Sequence, residues 1–450
     1  MRARLEESYT VRIERMGQSG QGVAYLPDGR IFFVDDALPG ELVRAQVTQV
    51  KPRYANGRIE AILEPSSSRI TPVCSYAEQC GGCSFQHWDY RAETEYKQEW
   101  VRQALKRIAK IPEPPLFAIV PATRPDYYRN KGQFPWGQQG QQLSLGLYAR
   151  GSHQLVELAS CLIQDEGINR VLRRAPELAR PYHFTAYQET TGQGLLRHLL
   201  IRSARATKDL LVLIVATAFD PNLSAYARDL MADNPHIKGV GLNINTERTN
   251  RILGPSTRLL HGQSTIIDQI LGLSFHVSFE SFFQVNPEQV ERLYRLALDN
   301  IPESTGVLWD LYAGVGTLAS LASARAQKVY AIELNSAAAS DARKNFALNG
   351  LHNIQMITGR VEDVIDENVL RKPDVVLMDP PRKGVDSHVL SRLKRLHPSR
   401  IVYISCNPDT LARDVQLLSP EYRLTAVTPV DMFPRTDHVE AVAVLDTAQV

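Results

Sequence analysis

The chain has 450 residues, 44% of them hydrophobic and 22% charged, which is the balance of a globular protein too long for one ordinary core. Its 51 Lys and Arg against 49 Asp and Glu leave a formal charge of only +2, so any nucleic-acid partner must be met by a local basic surface and not by bulk charge. With no apolar window of roughly eighteen residues and no charged segment followed by an apolar stretch at the N-terminus, neither a membrane span nor a signal peptide is predicted, and a cytoplasmic protein is expected.

Residues 10 to 64 alternate apolar and polar positions in short runs, "TVRIERM", "GVAYL", "RIFFV" and "ELVRAQVTQV", broken by Gly, Pro and Asp turn signals. This predicts a small antiparallel barrel. Acidic and basic residues are equal over 1 to 65, nine of each, so charge does not mark it as an RNA binder. The order "MGQSGQGVAYLPDGRIFFVDDALPGE", with Gly17, Gly20 and Gly22 in one loop, resembles the TRAM domain, an RNA-binding barrel of the OB type.

A Ser- and Pro-rich linker, "EPSSSRITP", leads to "CSYAEQCGGCSFQHW". Four of the five cysteines, Cys74, Cys80, Cys83 and Cys161, lie in the first 161 residues, and in a reducing compartment such a set points to metal binding or catalysis. Next comes a helix, "ETEYKQEWVRQALKRIAK", with Tyr96, Trp100, Val101, Leu105 and Ile108 on one stripe. Nine Lys or Arg against three Asp or Glu between Lys97 and Arg150, interleaved with Tyr127, Tyr128, Phe134 and Trp136, suit a nucleic-acid surface, although a solvated helix face explains many of these charges equally well.

From about residue 280 the runs "GVLWDLY", "KVYAIEL", "NIQMIT", "DVVLMD" and "RIVYIS" alternate with helical segments. Short, near-continuous apolar strands of this kind predict a parallel sheet covered on both faces, in which ligands bind beyond the carboxyl ends of the strands. The first strand ends in "DLYAGVG", and the second ends at Glu333, placed to accept both hydroxyls of a ribose. No third glycine completes a dinucleotide loop, which favours S-adenosylmethionine over a nicotinamide cofactor. The fourth strand ends in "DPPRKG", where Arg382 stands in place of the aromatic residue that amine methylation would use for stacking. The fifth delivers Cys406.

A structural cysteine is the ordinary reading of one such residue, but a thiol at a strand end beside the cofactor crevice suits a nucleophile. Carbon 5 of a pyrimidine attacks a methyl donor only after a nucleophile has added to carbon 6, and a base must then remove the carbon 5 proton. Glu440 in "FPRTDHVEAVAVLD" is the candidate base, embedded in apolar alternation; Asp437 and His438 compete with it, and an ordinary edge-strand Glu remains the alternative.

With "SFFQVNP" at 281 to 287, "SCNP" and "HVE", these stretches resemble the RNA 5-methyluridine (uracil-5-) methyltransferases, in particular the TRAM-containing iron-sulfur type similar to the 23S ribosomal RNA uracil methyltransferases. The resemblance implies Cys406 as nucleophile, Glu440 as proton acceptor, Gln284, Tyr312, Glu333 and Asp379 around S-adenosylmethionine, and Phe282 and Asp379 at a flipped uracil. It also implies a four-iron four-sulfur cluster on Cys74, Cys80, Cys83 and Cys161; from spacing alone, structural zinc is equally compatible.

The expected fold is α/β: a Rossmann-like methyltransferase domain over 281–450, an OB-type TRAM barrel over 1–65, and a central α+β RNA-binding domain over 66–280, whose helix near 93–110 packs on the catalytic domain. Arg197, Arg202, Arg205 and Lys208 in the central stretch are candidates for phosphate contacts or exposed edge charges. The expected activity of the chain, as a monomer, is methylation of a ribosomal RNA uridine. A transfer RNA uridine is the alternative, and a non-catalytic iron-sulfur RNA-binding protein is a more distant one.

Overall fold

The computed structural model describes residues 4–365 and 370–448. The N-terminal segment forms a curled six-stranded sheet of the OB type in which Ser8–Arg12 lies at one edge, followed by Leu42–Val50, Tyr54–Glu64, Ile31–Asp35, Gly22–Tyr25 and Arg15–Met16. Its period-two pattern turns Val11, Phe32, Val34, Val43 and Val47 into a common core. Gly57 is required there by close packing, since a Cβ would lie 2.4 Å from the Phe32 ring.

The helix Tyr90–Arg107 starts where Asp89 caps the backbone N–H groups of Arg91 and Ala92. Its Val101, Ala104 and Leu105 join the core formed by Leu411, Val415 and Leu418 of the C-terminal α/β unit. Tyr96 belongs instead to a small cluster with Phe85 and Trp88.

The central seven-stranded sheet runs Ser256–Gly262, Ile237–Ile244, Leu210–Ala216, Leu196–Ser203, Lys131–Gln139, Gln142–Tyr148, Leu155–Glu157, with helices Glu166–Ala179 and Asn222–Asp233 packed on it. Of the aromatic residues interleaved with basic ones, Tyr128, Phe134 and Trp136 are buried in this core, and only Tyr127 is exposed.

The C-terminal sheet orders Ile354–Thr358, Ala326–Glu333, Thr305–Leu311, Val375–Met378, Arg400–Ser405, Glu440–Thr447 and Tyr422–Val430. The first five are parallel, and the last two are antiparallel additions. From Thr305–Leu311 the chain winds first to one side and then to the other, which opens a crevice at the carboxyl ends of that strand and of Val375–Met378. Trp309, Leu311, Met378 and Tyr403 fill one side of the sheet; Leu308, Leu377, Val402 and Ile404 fill the other.

Candidate functional site

The backbone at the first strand end is built for close approach. Tyr312, Gly314 and Gly316 all adopt positive φ (68°, 55° and 78°). At Gly316 a Cβ would meet the Phe346 ring at 2.5 Å, whereas at Gly314 nothing lies within 4 Å, leaving a backbone face open to a ligand. Glu333, at the end of the neighbouring strand, fixes this turn: one carboxylate oxygen accepts from Gly314 N at 2.8 Å and the other from Asn335 N at 2.7 Å. Each oxygen keeps a free lone pair, so the carboxylate can also accept from a bound diol.

Asp379 follows the strand Val375–Met378, and burial raises its carboxyl to about 7. Cys406 follows Arg400–Ser405 at the bend before the helix Pro408–Leu418, which Asn407 caps by accepting from Asp409 N at 3.0 Å. Glu440 begins the adjacent antiparallel strand, and the pairing Ser405↔Ala441 sets it across the ladder from Cys406. Glu440 is 4% exposed and its Oε2 has no hydrogen-bond partner. Burial, then the neighbouring Asp379, pushes its carboxyl up to about 8.

The Cys406 thiol is held up at about 11, mainly by burial and then by Glu440 and Asp379, with Arg382 acting in the opposite direction. Three groups named from the sequence therefore meet in one place. The hydroxyl of Tyr294 faces the same space, its proton retained by burial and by Asp379, Glu440 and Asp310.

Gln284 is buried, its carbonyl accepting from Asn130 Nδ2 at 3.3 Å, while Phe282 two residues earlier is 68% exposed. Asp437 accepts from Ser84 Oγ at 3.2 Å. Arg382 donates to the ring of His438, 2.8 Å to Nε2, and burial lowers the proton affinity of that imidazole. Both competitors of Glu440 are thus already partnered, whereas Oε2 of Glu440 is not.

Two features of the site escaped sequence reasoning. Asp310 is fully buried, its carboxyl raised well above the usual range by burial and by Asp379. A single acid inside the apolar run "GVLWDLY" was the available signal. The other is the charge pair Glu93 and Lys97, buried on the same stripe as Val101 and Leu105, four residues apart in step with the apolar positions.

The phosphate candidates divide. Arg197 and Arg202 are buried: Arg197 donates to the carbonyls of Asn245 and Glu247, Arg202 to those of Phe279 and Ser281. Arg205 is paired with Glu288 at 3.2 Å. Arg202 therefore grips the segment that leads to Phe282 and does not face RNA.

The assignment of Cys74, Cys80, Cys83 and Cys161 to a four-iron four-sulfur cluster, or to zinc, is corrected. All four are free thiols lining one small apolar cavity of about 20 Å³, space for roughly one water. Among the described residues, no group of three or more His, Cys, Asp or Glu is arranged to hold a metal ion. Burial raises the Cys80 thiol and pushes Cys161 to about 11 and Cys83 to about 12.

The OB-type sheet joined to a Rossmann-like unit with an open glycine turn and a strand-end cysteine defines a methyltransferase of the class that acts on RNA bases. The tRNA (uracil-5-)-methyltransferase family profile matches residues 89–448, and the TRAM domain profile matches residues 4–59. The chain belongs to this family: it is an RNA (uracil-5-)-methyltransferase that uses S-adenosylmethionine.

An uncharacterized RNA methyltransferase of Caldanaerobacter subterraneus subsp. tengcongensis is 41% identical over 453 residues, covering 99% of each chain. Another, of Halalkalibacterium halodurans, is 39% identical over 442 residues, covering 97% of this chain and 96% of the relative. In fold, the chain is similar to the Pyrococcus abyssi tRNA (uracil-54, C5)-methyltransferase, solved with S-adenosyl-L-homocysteine (TM-score 0.78, 24% identity, 97% of this chain and 99% of that one).

The expected kinship with the iron-sulfur 23S ribosomal RNA enzymes is corrected on the same grounds. The matching family is described as tRNA (uracil-5-)-methyltransferase, and no metal-ligand group is found among the described residues. Among the described residues, no helix is long and apolar enough to cross a membrane.

Proposed function

We propose that this chain methylates carbon 5 of a uridine in transfer RNA through a covalent bond between Cys406 and carbon 6, with Glu440 as the acceptor of the carbon 5 proton. The observation that carries the reading is the ladder register that brings Cys406 to Glu440, with Asp379 close enough to act on both. S-adenosylmethionine supplies the methyl group when bound.

Gln284, Tyr312, Glu333 and Asp379 are the residues proposed to hold it, and the open backbone at Gly314 with the acceptor capacity of Glu333 fits an adenosyl ribose. The target uracil must leave its stack to expose carbon 6, and Phe282, whose ring is 68% exposed, is proposed to stack on or beside it. Asp379 is proposed to face both cofactor and uracil.

Cys406 loses its proton to solvent and its sulfur bonds to carbon 6; the carbon 5–carbon 6 π pair shifts to carbon 5, which takes the methyl as the methyl–sulfur bond of the donor breaks and S-adenosylhomocysteine is left. Glu440 then removes the carbon 5 proton, the double bond re-forms and the C–S bond breaks. Arg382 assists the first step by favouring the thiolate.

The transfer RNA assignment is supported by the family match and by the likeness in fold to an enzyme described as acting on uracil 54 of tRNA. The test is methylation of unmodified tRNA and ribosomal RNA with labelled S-adenosylmethionine. Label should enter one tRNA uridine with wild type and none with Cys406→Ala, while Glu440→Gln should retain the RNA covalently. Label in ribosomal RNA alone would overturn the substrate, and free turnover by Glu440→Gln would assign the base elsewhere.

A further inference from the structure

Lys97 lies inside the helix Tyr90–Arg107 with no exposure of its side chain. Its three ammonium protons have three acceptors: Glu93 Oε1 at 2.7 Å, Asp431 Oδ1 at 2.7 Å and the Phe433 carbonyl at 3.1 Å. Tyr90 donates to the other Asp431 oxygen at 2.7 Å. The Arg435 backbone N–H donates to Glu93 Oε1 at 2.8 Å, and its guanidinium to the Trp88 carbonyl at 3.0 Å.

These bonds converge on one loop, residues 431 to 435. Gln289 donates to its Asp431 carbonyl and Asn286 to that of Met432, both at 3.1 Å. Tyr128 donates to the Pro434 carbonyl at 3.1 Å, and the backbone of Ser84 and Phe85 to that of Arg435. Arg435 sits at φ 67°, a left-handed conformation that surrounding contacts must hold in place.

Both ends of this loop meet Glu440. Asp431 directly follows Val430, the cross-strand partner of Glu440, and the far end runs through His438 into Glu440 itself. Buried ion clusters are poor contributors to stability, because desolvating the charges cancels much of their attraction and apolar side chains of similar volume often do as well. What such a cluster supplies here is direction: an apolar side chain at position 97 would fill the volume without fixing Asp431 and Phe433.

We propose that Lys97 is a positioning residue for the proton-removal step, holding the 431–435 loop so that Glu440 reaches carbon 5 of the covalent intermediate. This rests on the reading of Glu440 as the base. In that step the carbon 5 proton passes to Glu440, its electron pair forms the carbon 5–carbon 6 double bond, and the sulfur of Cys406 leaves with the electrons of the C–S bond. Replacing the carbon 5 hydrogen by fluorine removes the proton to be taken, so a 5-fluorouridine substrate reports bond formation and methyl transfer without the final step.

The experiment compares full-length wild type, Lys97→Met and the triple variant Glu93→Gln, Lys97→Met, Asp431→Asn, which removes all three of these charges together, on tRNA transcripts made with uridine or with 5-fluorouridine. With 5-fluorouridine the adduct should form within about twofold of the wild-type rate, since the groups acting on the Cys406 thiol, Glu440, Asp379 and Arg382, are not substituted. With uridine, release should fall at least roughly tenfold and adduct should accumulate, the scale on which a displaced general base loses rate.

Unchanged release in the triple variant, or equal losses on both substrates, overturns the proposal. Amide hydrogen exchange of residues 431 to 441 reads the same claim without RNA: protection should drop in both variants, and unaltered protection overturns the positioning role. Wild type that forms no adduct on any 5-fluorouridine RNA would instead remove the functional reading.

Discussion

In the proposed mechanism Glu440 and Cys406 must both be deprotonated to act, in an environment that favours their neutral forms. Glu440 is held near 8, so below that pH most molecules carry a protonated carboxyl that cannot accept the carbon 5 proton. Release of methylated RNA in single turnover should therefore accelerate as pH rises to about 8 and then level off, with no such rise in Glu440→Gln. The linkage has a second sign. A carboxyl whose folded value lies above its unfolded value of 4.5 binds an extra proton in the native state, so stability from this group declines as pH rises from 4.5 to about 8. Glu440→Gln should thus raise the melting temperature more at pH 8 than at pH 5, which scanning calorimetry would detect. Phe282 presents the reverse case, an aromatic ring with nothing to pack on. Phe282→Ala should leave the melting temperature and S-adenosylhomocysteine affinity unchanged while weakening RNA binding by the about 1–3 kcal/mol of one stacked base, roughly 5- to 150-fold in titrations.

At the scale of elements, the C-terminal strands were legible because each is a short apolar run with its chemistry at the end, and a parallel sheet allows little else. What the sequence hid was the direction of charged side chains. Arg202 in a strand and Lys97 in a helix look like solvated charges in one dimension, yet both point inward and are satisfied by carbonyls or carboxylates from residues far along the chain. The cysteine set misled for a similar reason: spacing shows that thiols can meet, but not whether the space between them suits an ion. The apolar stripe of the helix Tyr90–Arg107 has an energetic consequence. Leu105 is fully buried against the C-terminal unit, so Leu105→Ala should cost about 2–5 kcal/mol in denaturant unfolding followed by fluorescence. A cost below about 0.5 kcal/mol, the range of surface substitutions, would mean that this packing is not what holds the helix.

At the scale of the molecule, the N-terminal segment touches the C-terminal α/β unit near Cys406. Gln18 donates to Asp409 Oδ2 at 2.7 Å, three residues beyond Cys406, and Tyr96 donates to the Gly17 carbonyl at 2.6 Å. Arg150 of the central sheet pairs with Asp36 at 2.8 Å, an exposed bridge of little energetic weight. A barrel seated there can hold one part of an RNA while another part enters the cleft. The double variant Gln18→Ala, Tyr96→Phe should keep its activity on a short stem-loop and lose activity on whole tRNA. Equal activity on both would show that the two RNA sites work independently.

The antiparallel pairing of Arg400–Ser405 with Glu440–Thr447 carries one more consequence. In the proposed mechanism the thiol that attacks one carbon and the carboxyl that strips the next face each other just past the last pair of one hydrogen-bonded ladder, Ser405↔Ala441, and a ladder does not shear between one chemical event and the next. The pairing therefore gives these two groups no sliding motion with which to pass from addition to elimination. Under that mechanism movement falls to the pyrimidine: as carbon 5 turns from planar to tetrahedral and back, the ring itself carries its proton toward Glu440, and the substrate acts as a hinge.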